Sequence, residues 1–247
     1  MGVFRIRDRV NILGITVDTY SMQETVEQIC QAVECKVPIR VVTANPEMIY
    51  ASDQDQQLKK LINSAELVTA DGIGVVWAAR QLGASVNERV TGIDLVQALF
   101  PASNEGKWRF FLLGGKPGVA EQAASQVINE YPEIVCEAMH GYYSSDEEPQ
   151  VLEKIRRFQP DFLLVGLGAP RQEYWLTEHP GLAIVSMGVG GSFDALAGTV
   201  IRAPKRIQEL HLEWFYRLCK EPWRWKRQGV LPRFVLKVFR QKFLHSP

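Results

Sequence analysis

The sequence predicts an α/β protein: a mainly parallel sheet with helices on both faces, followed by a basic helical C-terminal appendage. Three observations carry that expectation. Short apolar runs rich in Val, Ile, Leu and Phe alternate with longer stretches whose apolar residues recur every three or four positions. Most of these runs end in a polar or glycine-rich turn just before the helical stretch begins. Charge then divides the chain: from Arg202 onward twelve Lys/Arg stand against three Glu, a net +9, so residues 1–201 carry −9 within a net charge of zero. The division places an α/β core at 1–201 and an amphipathic appendage at 202–247. With 247 residues, 46% hydrophobic and 23% charged, the chain can bury a substantial core, which excludes disorder.

Taken in order, Val10 to Val17 reads as a first strand. Met22 to Val33 reads as a helix because Met22, Val26, Ile29 and Val33 share one side, and Ser21 with Glu24 forms a capping-box pattern at its start. Ile39 to Thr43 is a β-branched strand that runs through Ala44-Asn45-Pro46-Glu47 into another helix. Ser52 to Ile62 reads as a helix with acids in its first turn, where the helix dipole favours them, so Asp53-Gln54-Asp55 is not read as a metal-holding D-x-D motif. Strand, turn and helix recur at Leu67–Leu82, Arg109–Tyr131, Asp161–Leu176 and Leu182–Ala197. In a parallel sheet the loops following the strands gather on one edge, and open α/β sheets bind ligands there. That edge would collect Thr43, Asn45, Asp71, the glycines from Gly114 to Gly118, the segment Gly168–Glu173 and the segment Gly188–Asp194.

Asp71 closes the apolar run Leu67-Val68-Thr69-Ala70 and precedes Gly72. It is either a carboxylate projecting into the crevice or the N-cap of an ordinary Asp-Gly turn, and the local pattern leaves both open. Gly114-Gly115-Lys116-Pro117-Gly118 follows Phe110–Leu113. Those glycines either let the backbone approach a diphosphate or simply permit a tight turn. The spacing matches neither G-x-G-x-x-G nor the P-loop, which counts against a dinucleotide-dependent oxidoreductase. Cys30, Cys35, Cys136 and Cys219 lack C-x-x-C spacing, and His140, His179, His211 and His245 are scattered, so no metal site and no disulfide framework is expected. Arg5, Arg7 and Arg9 precede no apolar segment of signal-peptide type, and no apolar run approaches membrane-spanning length. The expectation is a cytoplasmic protein that meets a membrane only at its surface.

The appendage differs in kind. Ile207, Leu210, Trp214 and Leu218 form an apolar stripe, Arg217, Lys220, Arg224 and Arg227 a basic series, and Pro222 prevents one unbroken helix. Trp223 and Trp225 interleave with the bases, a mixture that suits a membrane interface or a phosphate-rich ligand, with a solvated basic face as the plain alternative. Nucleic acid is disfavoured because no reader motif accompanies the bases. From Arg233 to Leu244, Phe234, Val235, Val238, Phe239 and Phe243 take one broad side against Arg233, Lys237 and Arg240.

Five segments together, Thr43-Ala44-Asn45-Pro46-Glu47, Ala70-Asp71-Gly72-Ile73-Gly74, Arg89-Val90-Thr91-Gly92, Gly166–Glu173 and Gly190-Gly191-Ser192-Phe193-Asp194, resemble one family in its own motif order. It is the bacterial WecG/TagA/CpsF glycosyltransferase family, and the likeness runs from about residue 10 to about residue 230. The resemblance implies a Rossmann-like fold and inverting transfer of N-acetylmannosamine or a related sugar from a UDP donor. The acceptor it implies is linked to polyprenyl diphosphate at the cytoplasmic membrane face, and no metal cofactor is required. It further implies that Asp71 is the catalytic base, that Thr43 and Asn45 line the same pocket, that Arg89 contacts substrate and that Gln172 lies near the nucleotide. Asp194 and the strand-end glycines Gly114, Gly168 and Gly190 are expected to hold the nucleotide. Arg217, Arg224 and Arg227 match the family's appendage arginines, which help close the site, neutralise diphosphate and engage the membrane. A non-catalytic scaffold that binds a nucleotide sugar at the membrane surface is the main rival. The oligomeric state is left open, a homo-oligomer included.

Overall fold

The computed structural model describes residues 8–86, 88–200, 203–204, 207, 213–220, 225 and 229–244. Its first element corrects the expected single strand at Val10–Val17, because β1 (Arg9–Ile12) and β2 (Ile15–Asp18) form an antiparallel hairpin. Leu13 and Gly14 make the turn with φ of 52° and 89°, and Asn11 Oδ1 accepts the Gly14 N–H at 3.0 Å. A two-residue hairpin loop with both central φ positive is usually signalled by Asn-Gly or Asp-Gly, and Leu-Gly conceals it.

Helix α1 (Met22–Glu34) carries the full Ser21/Glu24 capping box. Strand β3 (Ile39–Ala44), helices α2 (Pro46–Ser52) and α3 (Gln56–Asn63), and strand β4 (Leu67–Ala70) follow, then α4 (Ile73–Gln81) and α5 (Gly92–Gly106). Next come β5 (Arg109–Gly114), α6 (Val119–Glu130), β6 (Val135–Met139), α7 (Glu148–Phe158), β7 (Phe162–Gly166), α8 (Arg171–Glu178), β8 (Val185–Gly188) and α9 (Ser192–Leu196). The appendage contributes α10 (Glu213–Lys220) and α11 (Leu231–Leu244).

Strands β3 to β8 build one parallel six-stranded sheet in the order β4-β3-β8-β7-β5-β6. Side chains alternate between its faces, as a period of two requires. Val41, Phe110, Leu112, Phe162 and Leu164 enter the core beneath α1, α5, α6 and α9. On the opposite face Val42 and Val68 join the cluster with α2, α3 and α4, while Phe111, Leu113, Leu163 and Val165 join that with α7 and α8. The sheet is therefore doubly wound and Rossmann-like. Elements α5, β6 and α7 add to the sequence reading. Strand β6 is an edge strand of half-exposed residues, Val-Cys-Glu-Ala-Met, and lacks the apolar run that marked the others.

At the other edge, β4 is covered by the hairpin. The buried Asp18 accepts the Val68 N–H at 2.8 Å through one oxygen and the Arg9 Nε–H at 2.8 Å through the other. An otherwise unpaired sheet amide is thereby satisfied. Helix α11 then closes over hairpin, α2 and α4. Phe234 and Val238 are buried in the same cluster as Ile12, Ile15, Met48 and Val75, and Phe239 meets Trp77 edge to face at 5.4 Å. Gln241 accepts the Leu13 N–H at 2.8 Å and donates to the Asn11 carbonyl at 2.7 Å, while Lys237 pairs with Asp53. One side of 231–244 thus belongs to the core, and Leu236, Phe243 and Leu244 on the other side are exposed.

This packing separates two substitutions on one helix. Phe234→Ala should cost about 3–5 kcal/mol of stability, read as a lowered urea midpoint. Leu236→Ala, 69% exposed, should change it by less than about 0.5 kcal/mol.

Candidate active site

The sheet order creates a crevice where neighbouring strands lead in opposite directions: β5 passes outward to β6, whereas β7 passes inward to β8. Open α/β sheets bind ligands at such a point. Here the strand ends approach too closely for side chains. A Cβ on Gly114, whose φ is +145°, would lie 2.4 Å from the Gly166 carbonyl oxygen, and one on Gly166 would lie 2.8 Å from the Gly190 oxygen. Above this floor lies a cavity of about 670 Å³ lined by Gly115, Lys116, the Gly141–Tyr143 segment, Gly166–Gly168, Arg171, Gly190, Gly191 and Asp194. Helices α6 and α8 begin at its wall without any side-chain cap. Their N-terminal dipoles and the exposed Lys116 and Arg171 favour an anion. Burial pushes the Tyr143 hydroxyl up to about 12, so it stays protonated at neutral pH.

A second group of polar residues lies on the same edge at the ends of β3 and β4. The Asp71 N–H donates to the Ala44 carbonyl at 2.9 Å, joining the two strand ends. Val90 N–H donates to the Ala70 carbonyl at 2.9 Å and the Thr69 hydroxyl to the Val90 carbonyl at 3.0 Å, which pins the Arg89–Thr91 segment beside them. Thr43 is buried, and its Oγ1 lies 3.4 Å from where a Gly92 Cβ would be. Asn45 caps α2, its Oδ1 accepting the Met48 N–H at 2.9 Å. Asp71 is half-buried and is not the cap of α4: Gly72 at φ +93° holds that position with no side-chain hydrogen bond. Asp71 therefore stands one residue before the N-cap position of α4. The loop after β8 bridges the groups, since Gly190, Gly191 and Asp194 line the cavity while Ser192 Oγ lies 3.9 Å from that Gly92 Cβ position.

The profile of the glycosyl transferase WecG/TagA/CpsF family matches residues 10–247. The chain belongs to that family. Among curated members, the N-acetylglucosaminyldiphosphoundecaprenol N-acetyl-beta-D-mannosaminyltransferase of Bacillus subtilis (strain 168) is 36% identical over 212 residues, covering 85% of this chain and 82% of the relative. The protein of the same name from Staphylococcus aureus (strain MW2) is 36% identical over 241 residues, covering 95% and 93%.

In this WecG/TagA/CpsF member the sequence-derived residues fall into four places. Gly168, Gly190 and Asp194 line the cavity, with Gly114 in its floor. Thr43, Asn45, Asp71 and Arg89 sit at or beside the ends of β3 and β4. Gln172 is buried behind the cavity wall: its Oε1 accepts the Gly190 N–H at 3.1 Å and its Nε2 donates to Glu173 Oε1 at 3.0 Å. Arg217 falls on α10, and Arg224 and Arg227 lie outside the described residues. Sequence reasoning did not single out Lys116, Arg171, Tyr142 and Tyr143 as cavity residues. The first two follow strand ends, and that position was the available signal. Asp53 is ion-paired with Lys59 at 3.5 Å and with Lys237, while Asp55 caps α3 and accepts the Tyr174 hydroxyl at 2.6 Å. Among the described residues no cluster of three His, Cys, Asp or Glu could hold a metal ion.

Burial raises the Glu173 carboxyl above the ordinary glutamate range, against the smaller opposing effects of the Gln172 hydrogen bond and Arg40. The folded state therefore holds this proton more tightly than the unfolded chain. Its contribution to stability is complete below the ordinary glutamate pKa and is lost as pH rises through the raised value. Glu173→Gln removes that loss, so the Tm of the variant minus that of the wild type should grow more positive between about pH 4 and pH 8. Gly114→Ala should cost about 2–3 kcal/mol and lower Tm by about 4–12 °C, because the obstacle is a backbone carbonyl.

Proposed function

We propose that the protein is an inverting glycosyltransferase moving N-acetylmannosamine from UDP to a polyprenyl-diphosphate-linked N-acetylglucosamine acceptor in cell-envelope polymer assembly. The observation that carries this reading is that one sheet edge holds both an anion-favouring cavity at the β5/β7 switch and, across β8 and β3 at the end of β4, a half-buried carboxylate, Asp71, with the loop after β8 reaching both groups. Support for the sugar and the acceptor comes from the printed activity of relatives that share 36% identity over most of the chain.

In this reading the UDP diphosphate lies between Lys116 and Arg171, with the nucleotide against the glycine-rich floor and Asp194. Asp71 takes the proton of the acceptor hydroxyl while that oxygen forms its bond to the anomeric carbon and the bond from that carbon to UDP breaks. Thr43 and Arg89 orient the reacting sugars. Asn45 spends its Oδ1 on the α2 cap, which leaves its NH₂ to donate to substrate. Departing charge is neutralised by Lys116 and Arg171 and, when the appendage covers the site, by Arg217, Arg224 and Arg227, so no metal is needed. The lipid-linked acceptor brings the protein to the inner membrane face. No helix among the described residues is long and apolar enough to cross a membrane, and the exposed Phe215, Trp225, Leu236 and Phe243 give the appendage side an interfacial character.

The test uses UDP-N-acetylmannosamine and a short lipid-diphosphate-linked N-acetylglucosamine analogue. Asp71→Asn should lower kcat by about 10²–10⁴-fold while the variant still binds UDP in calorimetry, and EDTA should leave wild-type turnover unchanged. Full activity of the Asn variant would remove Asp71 as base. Loss of turnover in EDTA, restored by a divalent ion, would remove the metal-independent mechanism, and absence of any turnover with UDP binding intact would favour a nucleotide-sugar scaffold.

A further inference from the structure

Glu173 is the one acidic side chain among the described residues that is almost wholly buried and leaves a carboxyl oxygen without a hydrogen-bond partner. It is 2% exposed, so it does not reach the cavity. Burying a carboxyl costs stability unless its oxygens are hydrogen-bonded or paired, and here one oxygen is neither. Arg40, the cation that acts electrostatically on Glu173, is occupied by Thr177, the Leu61 carbonyl and Ser64. Among the described residues the only hydrogen bond the Glu173 carboxyl makes is with the Gln172 amide, and that amide in turn holds the cavity loop.

We propose that Glu173 is a positioning residue for the donor site: by accepting from Gln172 Nε2 it fixes which way the Gln172 amide faces, and so fixes the Gly190 loop. The argument is one of donor and acceptor identity. A glutamine amide has two faces of nearly equal shape, one an acceptor and one a donor. With Nε2 turned to Glu173 Oε1 at 3.0 Å, Oε1 is presented to the Gly190 N–H at 3.1 Å. In the opposite orientation the NH₂ would confront the Gly190 N–H, donor against donor, and the loop would lose its tether. An acceptor at position 173 selects the productive face. A hydrocarbon of the same bulk selects neither. Gly188 belongs to the same device, because a Cβ there would lie 2.5 Å from Gln172 Nε2 and 2.6 Å from Glu173 Oε1. Both side chains cross the β8 backbone where only glycine leaves room. Burial keeps Glu173 neutral more readily than an exposed acid, and its carbonyl oxygen accepts in the neutral form as well.

This inference rests on the proposed function for its kinetic readout but not for its structural one. Compare the full-length wild type with Glu173→Leu, Glu173→Gln and Gln172→Met. Glu173→Leu should raise the donor KM about tenfold, the weight of one net hydrogen bond, with kcat and acceptor KM within about twofold. Glu173→Gln, which can present an amide oxygen to Gln172, should restore the wild-type donor KM. Gln172→Met cuts the same link from the other side and should match Glu173→Leu, the double variant being no worse than either. Hydrogen exchange over residues 188–194 supplies a readout that needs no substrate: faster in Glu173→Leu and Gln172→Met, unchanged in Glu173→Gln. If Glu173→Leu fails to fold, Gln172→Met carries both measurements. Wild-type exchange and donor KM in Glu173→Leu would overturn the proposal, as would failure of Glu173→Gln to rescue. Loosened exchange in a protein whose wild type neither binds UDP nor transfers sugar would overturn the proposed function and leave the positioning role standing.

Discussion

The candidate site depends on how closely the ends of β5, β7 and β8 approach the groups beside them. Where β5, β7 and β8 finish, Gly114, Gly166 and Gly188 each lack a Cβ that would otherwise stand within 3 Å of a neighbouring group. Parallel strands normally separate at their ends as side chains and loops fan out. Removing three Cβ atoms lets the following loops turn sharply away, and the space they vacate becomes the cavity. The aromatic stack beneath, with Phe110 and Phe162 face to face at 4.4 Å, gives this thinned region a rigid base.

Electrostatics follow the same division of labour. The segment 1–201 is acidic overall, yet the cavity mouth presents Lys116 and Arg171, and among the described residues neither forms an ion pair with a carboxylate. A cation held near a cavity without an internal partner keeps its charge available to a ligand, whereas one already paired would have to exchange partners. The acidic pair that could be mistaken for a metal site is instead consumed locally. Asp53 anchors Lys237 of α11, and Asp55 starts α3. The same short sequence that suggests coordination chemistry thus joins the appendage to the core.

Much of the architecture was legible because buried parallel strands are continuous apolar runs, and each of the central ones, Ile39–Ala44, Arg109–Gly114 and Phe162–Gly166, is recognisable without its neighbours. Strand β6 was not, because an edge strand of half-exposed residues carries no such run. The hairpin turn was hidden by Leu13, a residue seldom found at positive φ. At the site, Asp71 and the glycines were visible as strand-end residues. The role of Gln172 was less so: its side chain turns inward to Gly190 and Glu173, and no local pattern distinguishes an amide that faces a ligand from one that holds a loop. Lys116 and Arg171 were overlooked because the conspicuous basic series in the appendage drew the cationic role to itself.

Helix α11 has a consequence for the order in which the molecule can be completed. Its Gln241 closes hydrogen bonds on Leu13 and Asn11, and 228 residues of sequence separate the first of these pairs. During synthesis the hairpin and the helices α2 and α4 emerge long before their cover. Ile12, Ile15 and Val75 must therefore wait, with part of their apolar surface exposed to water, until Phe234 and Val238 are made. Domains generally acquire structure from the first-made end, but here the cluster that holds Ala44 and Ala70, at the ends of β3 and β4, is complete only once residues 231–244 have been made. A ribosome stalled before residue 231 would hold a sheet whose β3 and β4 ends still lack part of their apolar cover.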